Sequence, residues 1–348
     1  MDYSGGMTRR RIFEFAAVLL CLAPAVAATA QPAASYRYFR LGDQANVKAT
    51  SQPGFALMGG GNDLDEAFRW LCKRSGGGDF LVLRAHGDDE YNSYIKDLCH
   101  LNSVATVIIP DRAAAVDPFV EQAIRHASGL FIAGGDQANY INFWMGTPVQ
   151  AALNDAIRRG MPIGGTSAGL AVLGEWVYSA QGDRPEDADL DSKLALSDPF
   201  GPRITLVHVF LQIPILKGVI TDTHFAKRNR MGRSLVFLAR VNEMEGKAAR
   251  ESAPRIRSAC VEERAGVLLE PDGMGRVIGH GSVYLLNAEQ YADVLEPGQP
   301  LTFRKIEVQK VSPKHTFDFK RWQGEATRYT LSVEAGKVTS TQPGGGLY

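Results

Sequence analysis

The sequence contains few cysteines, 4 among its 348 residues. None forms a Cys-x-x-Cys pair or stands at the Cys and His spacing of a structural zinc site, so such a site is not indicated. Cys21 lies in the apolar N-terminal stretch, which leaves Cys72, Cys99 and Cys260 for the remainder of the chain. For an exported protein, two states of these cysteines are left open: one disulfide with one cysteine left over, or three buried thiols.

An excess of charge of either sign is also lacking. The chain has 38 basic and 38 acidic residues, and lysine and arginine rarely cluster. A nucleic-acid-binding protein normally shows a basic patch or stripe, so the composition gives no indication of a nucleic-acid partner. After the N-terminal region, no apolar run is long enough to cross a membrane.

The first thirty residues have the parts of a secretory signal. Arg9-Arg10-Arg11 is positive, residues 13–27 are apolar but too short and alanine-rich for a stable membrane span, and two small-residue cleavage sites follow, Ala25-Val-Ala27 and Ala28-Thr-Ala30. We therefore expect a signal peptide over residues 1–30 and a periplasmic or secreted protein. An uncleaved N-terminal anchor is the alternative.

Beyond the signal, apolar runs alternate with amphipathic segments. Strands are predicted at 55–58, 80–83, 104–109, 129–133 and just before Gly164, and helices at 64–73, 95–101, 119–127 and 147–159. Short, unbroken apolar strands alternating with helices predict an α/β fold in which helices cover both faces of a mostly parallel sheet. Functional groups in such folds collect at the carboxyl ends of the strands.

The C-terminal part of the chain is richer in strand patterns. Strands are predicted at 218–220, 265–269, 277–285, 303–311, 329–333 and 338–341, with a hairpin around Pro271-Asp-Gly. We divide the chain after the signal into an N-terminal extension (31–54), a main domain (55–290) and a small β-rich C-terminal appendage (291–348).

One stretch fits the Gly-x-Ser-x-Gly nucleophile elbow, Gly165-Thr-Ser-Ala-Gly169. In this motif a serine, here Ser167, occupies a tight turn between a strand and a helix, and small neighbours allow the backbone to bend. The pattern is short, so a small-residue turn with a solvated serine is the alternative. Three glycines at Gly59–Gly61 lack phosphate-loop spacing and are interpreted as a close backbone approach.

A second glycine pair follows the predicted strand at 129–133. Gly134 and Gly135 would leave backbone amides free to face a ligand, as an oxyanion hole requires, and the amide of Ala168 is a further candidate. The side chain of Gln137 could bind a substrate amide as both donor and acceptor. A plain strand-to-helix turn is the alternative.

The third informative stretch is residues 222–233. His224 leaves a predicted strand end with Asp222 two residues before it, which suits a general base, although a packed core histidine is the simpler alternative. Arg228, Arg230 and Arg233 suit recognition of substrate carboxylates. A solvated basic helix start is disfavoured because cations at a helix N-terminus oppose its dipole.

Taken in order, the motifs at 131–137, 165–169 and 222–233 resemble those of the cyanophycinase-like serine peptidases, peptidase family S51, which also contains the aspartyl dipeptidases. The resemblance extends over roughly residues 55–290. It implies a flavodoxin-like α/β/α sandwich akin to class I glutamine amidotransferases. It also implies exopeptidase activity that needs no metal or cofactor.

The resemblance implies a role for each matching residue. Ser167 corresponds to the nucleophile, His224 to the general base, and Gly134 and Gly135 to the oxyanion hole. Thr223 stands where cyanophycinases usually have glutamine. The implied substrate-contacting positions are Gln137, Asp222, Thr223, Arg228, Arg230 and Arg233.

The resemblance also implies a third triad member, an acid shortly after the serine. The corresponding region is the acidic loop 181–191, whose sequence differs from the glycine- and glutamate-rich loop of the family. Glu186 is our prediction for this acid, with Asp183 and Asp187 as rivals.

We therefore expect an exported serine exopeptidase acting on aspartyl peptides, with β-linked, cyanophycin-like peptides as the leading class. Its partner is a peptide substrate carrying carboxylates, and a homodimer is left open. An α/β-hydrolase-type esterase shares the elbow, but such enzymes usually have the histidine near the C-terminus and an apolar pocket. A non-catalytic peptide-binding protein on the same scaffold is the second alternative.

Overall fold

The structure, a computed structural model, describes residues 1–3, 35–184, 186–249 and 255–348, with no side chains described for 247–249. The predicted signal peptide over residues 1–30 falls outside the described residues after its first three. Ala34–Tyr348 form one compact unit. Across the described ranges, no helix has the length and apolar character needed to span a membrane.

The strands of the described residues are β1 (Arg37–Gly42), β2 (Phe55–Met58), β3 (Asp79–Arg84), β4 (Ser103–Ile108), β5 (Gly129–Ile132), β6 (Ile163–Thr166), β7 (Trp176–Tyr178), β8 (Leu206–His208), β9 (Val219–Asp222), β10 (Arg257–Val261), β11 (Ala265–Leu269), β12 (Met274–Gly279), β13 (Val283–Ala288), β14 (Phe303–Val311), β15 (Thr316–Asp318), β16 (Gln323–Gly324), β17 (Thr327–Glu334) and β18 (Lys337–Ser340). The α-helices are α1 (Asp65–Arg74), α2 (Glu90–Leu98), α3 (Arg112–Ala115), α4 (Pro118–His126), α5 (Gln137–Trp144), α6 (Pro148–Arg158), α7 (Ala168–Ala171), α8 (Ser192–Ser197) and α9 (Met231–Ala249). Two short 3-10 helices lie at Pro214–Leu216 and Pro343–Gly345.

The first sheet has the strand order β1-β4-β3-β5-β6-β2-β11-β12-β15-β16. Its central strands β4, β3, β5, β6 and β2 pair in parallel. Every residue of β2 and β5 is buried, as expected for short apolar strands covered on both faces. The predicted α/β fold with a mostly parallel central sheet is confirmed.

Antiparallel strands extend this sheet at both sides. β1, which lies in the predicted N-terminal extension and was not predicted as a strand, pairs with β4. The predicted hairpin around Pro271 forms β11 and β12, which pair antiparallel. β11 in turn pairs with β2, so the hairpin lies directly beside the parallel core.

The second sheet has the order β18-β17-β14-β13-β10-β9-β7-β8 and is parallel only between β7, β9 and β10. The C-terminal residues are strands, as predicted. They extend both sheets, since β14 pairs with β13 and β15 pairs with β12. The predicted boundary at residue 290 therefore falls inside a continuous sheet.

Two of the cysteines form a disulfide. Of the two states that the sequence left open, the structure therefore has one disulfide with one cysteine left over. Cys72 on α1 is bonded to Cys99 after α2, with their Cα atoms 6.2 Å apart. Cys260 is a buried free thiol. The bond closes a chain segment with a sequence separation of 27 residues, for which loop-closure entropy stabilises the fold by about 3.5 kcal/mol.

Candidate active site

Ser167 occupies the turn between β6 and α7, in the strand–turn–helix context expected of a nucleophile elbow. Its backbone has φ 52° and ψ −120°, which is unusual for a residue with a side chain. A Cβ atom on Gly165 would lie 2.5 Å from the Gly169 carbonyl oxygen, and one on Gly169 would lie 2.0 Å from that of Ile132. Both glycines of the motif are thus required by close backbone contacts.

His224 lies just after β9 and contacts the serine. Its Nε2 atom is 2.7 Å from Ser167 Oγ, and its backbone N–H donates to the Gly59 carbonyl oxygen at 2.8 Å. The residue has φ 47°, in the left-handed region. His224 is largely buried, yet its side chain is directed at Ser167, which argues against the packed core histidine.

The third member of the hydrogen-bonded chain is Glu263, a residue outside the predicted site. Its Oε1 atom lies 2.7 Å from His224 Nδ1. Ser167, His224 and Glu263 therefore form the continuous nucleophile–base–acid arrangement of a serine hydrolase. The geometry corrects the prediction of Glu186. The Glu186 side chain is exposed in its loop, whereas the Glu263 carboxylate contacts His224 Nδ1, the ring nitrogen that the third member of a triad binds.

The rival acids of the loop have other partners. Asp183 accepts hydrogen bonds from Arg203 Nε at 2.5 Å and from the Tyr178 hydroxyl at 3.1 Å. Asp187 accepts one from the backbone N–H of Arg184 at 2.8 Å. Ion pairing and local turn formation thus occupy both carboxylates.

Strand register explains how Glu263 reaches the histidine. β10 runs parallel to β9 with Cys260 opposite Asp222, so His224 and Glu263 leave neighbouring strands at the same edge. Carboxyl ends of parallel strands are where functional groups collect. The signal in the sequence was the pair Glu262-Glu263 directly after the apolar run 259–261, but β10 itself had not been predicted.

The loop Gly59–Gly61 closes over these two side chains. A Cβ atom on Gly60 would lie 2.3 Å from Cε1 and 2.5 Å from Nε2 of the His224 ring. On Gly61, which has φ 77°, a Cβ atom would lie 3.2 Å from the Cβ of Glu263. This agrees with the interpretation of the loop as a close backbone approach.

The surroundings of His224 favour its neutral form. Burial lowers the pKa of His224 below its ordinary value, and the nearby cations of Arg228 and Arg230 act in the same direction. The hydrogen bond to Glu263 opposes them by raising this pKa. A neutral imidazole at neutral pH can accept a proton from Ser167, as a general base must.

The predicted oxyanion-hole glycines lie beside the serine. A Cβ atom on Gly134 would be 3.4 Å from the Cβ of Ser167. The Tyr140 hydroxyl lies 2.8 Å from the Ala133 carbonyl oxygen and 3.0 Å from that of Gly134. These contacts fix the orientation of the peptide between Gly134 and Gly135.

Two of the predicted substrate-contacting residues are paired with each other in the interior. Arg233 Nη2 and Nε lie 2.5 Å and 3.0 Å from the two carboxylate oxygens of Asp222, which also accepts from Ser234 at 2.6 Å. The side chains of Arg233 and Asp222 are only 4% and 5% exposed. The structure does not present them to a substrate, because this buried pair satisfies both charges.

Arg230 is also buried, and Arg228 is exposed. Arg230 Nη1 donates to the backbone oxygen and the hydroxyl of Thr223 at 3.0 and 3.2 Å, so Thr223 too faces inward. Arg228 is 42% exposed, and its Nε lies 4.0 Å from Glu263 Oε1. Of the three predicted arginines, Arg228 is therefore the one that a substrate can reach beside the triad.

One carboxylate bridges the two arginines. Asp189 Oδ2 lies 2.7 Å from Arg228 Nη1 and 2.6 Å from Arg230 Nη2. Partial burial would raise its pKa, but the two cations prevail and lower the pKa of Asp189 to about 2. Asp189 is consequently ionised at neutral pH.

The remaining predicted position, Gln137, is half-buried at the first residue of α5. Its role in substrate binding stays a prediction. Over the described ranges of the chain, no group of three or more His, Cys, Asp or Glu side chains is arranged to hold a metal ion.

The chain is similar to several known proteins. Residues 85–197 match the sequence model of peptidase family S51. The cyanophycinase of Synechococcus elongatus is 26% identical over 267 residues, which cover 73% of this chain and 74% of the relative. The cyanophycinase of Thermosynechococcus vestitus gives the same values. Among solved structures, a peptidase from an acI-B1 Actinobacterium is 15% identical, with a TM-score of 0.49 over 78% of this chain and 98% of its own.

The family match covers Gly134, Gly135 and the motif around Ser167, and the cyanophycinases align with most of the chain. The chain is similar to the cyanophycinases and, over residues 85–197, to peptidase family S51, and these similarities indicate a serine-type peptidase.

Proposed function

We propose that the chain is an exported exopeptidase that hydrolyses aspartyl peptides through Ser167, His224 and Glu263. The observation that carries this proposal is the pair of 2.7 Å contacts that join the three side chains in sequence. This arrangement positions a base on the nucleophile and an acid on the base, which is the requirement for acyl transfer by serine.

In the proposed reaction, Ser167 Oγ attacks the scissile carbonyl carbon while His224 Nε2 accepts the hydroxyl proton. Glu263 holds the Nδ1–H and stabilises the imidazolium that forms. When the tetrahedral intermediate collapses, His224 returns the proton to the leaving amine and Ser167 carries the acyl group. Water, deprotonated by His224, then releases the acid product and restores the serine.

We assign the oxyanion to the backbone amides of Gly135 and Ala168. The Tyr140 hydroxyl binds the Gly134 carbonyl oxygen, and in a trans peptide the following N–H of Gly135 points the opposite way. This amide is therefore directed away from Tyr140. Ala168 directly follows the nucleophile, the usual position of the second amide after an elbow serine.

For the substrate, we propose a peptide that presents a carboxylate to Arg228. Support comes from Asp189, a carboxylate that already bridges Arg228 and Arg230 at hydrogen-bond distance. A substrate carboxylate would replace it beside the triad. β-Linked aspartyl dipeptides, with β-Asp-Arg as the leading example, carry such a carboxylate. They also agree with the similarity of the chain to cyanophycinases.

Export is proposed on two grounds. Residues 1–30 have the composition of a cleavable signal, and the Cys72–Cys99 disulfide suits an oxidising compartment. N-terminal sequencing of the protein recovered from the periplasm or medium should give Ala28 or Gln31. An intact Met1 on a membrane-bound product would refute cleavage.

The activity is tested by a screen of α- and β-linked aspartyl dipeptides with free termini. The wild type should hydrolyse β-linked peptides, and Ser167→Ala should lose activity on the order of a thousandfold or more, with an unchanged melting temperature. Activity retained in Ser167→Ala would refute the mechanism. Tight peptide binding without turnover in the wild type would favour a binding protein.

The charge requirement is tested on a β-aspartyl peptide and its analogue with the carboxylate converted to an amide. At a pH above the acid limb, where His224 is neutral in both proteins, Arg228→Gln should lower kcat/KM for the charged peptide by about tenfold, equivalent to about 1.4 kcal/mol, and should leave the neutral analogue unaffected. Arg276→Gln is the matched control, because Arg276 on β12 is 44% exposed and pairs with Glu66 on α1, and neither element carries a residue of the proposed triad. Equal losses in both variants would show that Arg228 does not select the substrate.

A further inference from the structure

Tyr348 packs behind the segment that carries the catalytic histidine, although 124 residues separate it from His224 in the sequence. Its hydroxyl oxygen accepts the backbone N–H of Met231 at 2.9 Å and donates to Asn229 Oδ1 at 3.0 Å. Its ring meets that of Phe225 edge-on, with centroids 5.6 Å apart. Phe225 directly follows the histidine in the chain.

The segment from His224 to Met231 requires such external contacts. His224 and Asn229 have φ values of 47° and 49°, and a non-glycine residue in this region costs about 1–2 kcal/mol. Met231 begins α9, so its N–H has no acceptor within the helix. Tyr348 supplies that acceptor and fixes the side chain of one strained residue.

Tyr348 also contacts the element that holds the acid. Its ring is edge-on to that of Tyr284 with centroids 5.8 Å apart, and Tyr284 in turn packs on Phe225 at 5.3 Å. The Tyr284 hydroxyl donates to Glu262 Oε1 at 2.9 Å. Glu262 immediately precedes Glu263, so the aromatic cluster of Phe225, Tyr284 and Tyr348 supports both the base and the acid.

We propose that Tyr348 is a positioning residue for the proposed triad, acting through the 224–231 segment. This inference rests on the proposed function, since it assumes that His224 is the base. Without the Tyr348 hydroxyl, the Met231 amide and the Asn229 side chain lose their partner, and the segment spends less time in its strained conformation. His224 is then aligned with Ser167 and Glu263 for a smaller fraction of the time.

The test is the rate at which a phosphonofluoridate labels Ser167, followed by the mass of the intact protein. This reagent reports activation of the serine without needing the natural substrate. Tyr348→Phe, which loses only the hydroxyl, should lower the maximal labelling rate about fivefold, and Tyr348→Ala about thirtyfold, with little change in the reagent's half-saturating concentration. The labelling rate that Tyr348→Phe keeps and Tyr348→Ala loses measures the contribution of the ring, as distinct from that of the hydroxyl.

The control is Tyr94→Phe, which removes a half-buried tyrosine hydroxyl on α2 bonded to Asp65 on α1 at 2.8 Å, and neither helix carries a residue of the proposed triad. It should label at the wild-type rate with the same pH dependence. In Tyr348→Ala the acid limb of the labelling rate should move to lower pH, because the contact with Glu263 that raises the pKa of His224 is weakened.

Several outcomes would overturn the proposal. One such outcome is a labelling rate and a pH profile like those of the wild type in both Tyr348 variants. Another is a loss of labelling rate in Tyr94→Phe equal to that in the Tyr348 variants when their melting temperatures match. If Tyr348→Ala fails to fold, the Tyr348→Phe variant decides alone. Labelling that persists in Ser167→Ala instead refutes the proposed function, because the reagent is then reacting elsewhere.

Discussion

Replacing Glu263 by glutamine removes one negative charge and leaves the shape of the side chain almost unchanged. In the wild type, the carboxylate accepts the Nδ1–H of His224 at 2.7 Å and stabilises the imidazolium formed during catalysis. The glutamine amide can instead donate to Nδ1. That interaction favours the tautomer with the proton on Nε2, which cannot accept the Ser167 proton.

Two limits bound the size of the effect. A hydrogen bond to a charged group contributes about 1.5–3 kcal/mol, and tenfold in rate corresponds to about 1.4 kcal/mol, so its loss alone lowers kcat about 10-fold to 100-fold. Trapping the wrong tautomer in other serine triads lowers kcat on the order of 10⁴-fold. We expect Glu263→Gln to lie between about 10² and 10⁴ in kcat.

The assay is steady-state hydrolysis of a β-aspartyl dipeptide, with melting temperatures measured alongside. Glu186→Gln serves as the control, since Glu186 is an exposed glutamate in the loop 181–191, and it should keep kcat within about twofold. A silent Glu263→Gln with an inactive Glu186→Gln would refute the assignment of the acid. Such a result would return that role to the loop.

Two further predictions concern the surroundings of the base. Gly60→Ala places a Cβ atom 2.3 Å from the His224 ring and should lower kcat by more than tenfold. Gly298→Ala, at a similar positive φ with nothing within 4 Å, should leave kcat unchanged, and equal losses in kinetic assays would contradict the steric explanation. Because the His224 pKa is lowered, the acid limb of kcat/KM should fall below the ordinary value of about 6.5. Arg228→Gln removes a cation that lowers this pKa and should move the limb to higher pH, whereas an unchanged pH profile would contradict that cause.

Local patterns were sufficient to predict the central sheet and the strand–turn–helix context of Ser167. Strands such as 55–58 are uninterrupted apolar runs between glycine- and proline-containing turns, so their position follows from composition alone. The elbow is similarly local, since Gly165 and Gly169 are required by contacts within or next to the turn. His224 was found because it directly follows a strand end.

The acid could not be located by local reasoning. Glu263 reaches His224 only because β10 pairs in parallel with β9, and that pairing joins segments about forty residues apart. The sequence also could not reveal that Arg230 and Arg233 are buried. The sequence predicts Arg233 to be a cation near the site. In the structure its partner Asp222, on the preceding strand β9, neutralises it in the interior.

The position of Glu263 has a consequence for how this enzyme can change. With the acid at the end of β10, the loop 181–191 contributes no member of the triad and bears on the site through Asp189, which contacts the arginines. Under the proposed function, we therefore expect insertions, deletions or exchanges in that loop to alter which peptides are accepted without removing a residue of the proposed triad. Substrate range and catalysis would then vary independently, and the loop would be the segment to exchange when a new specificity is sought.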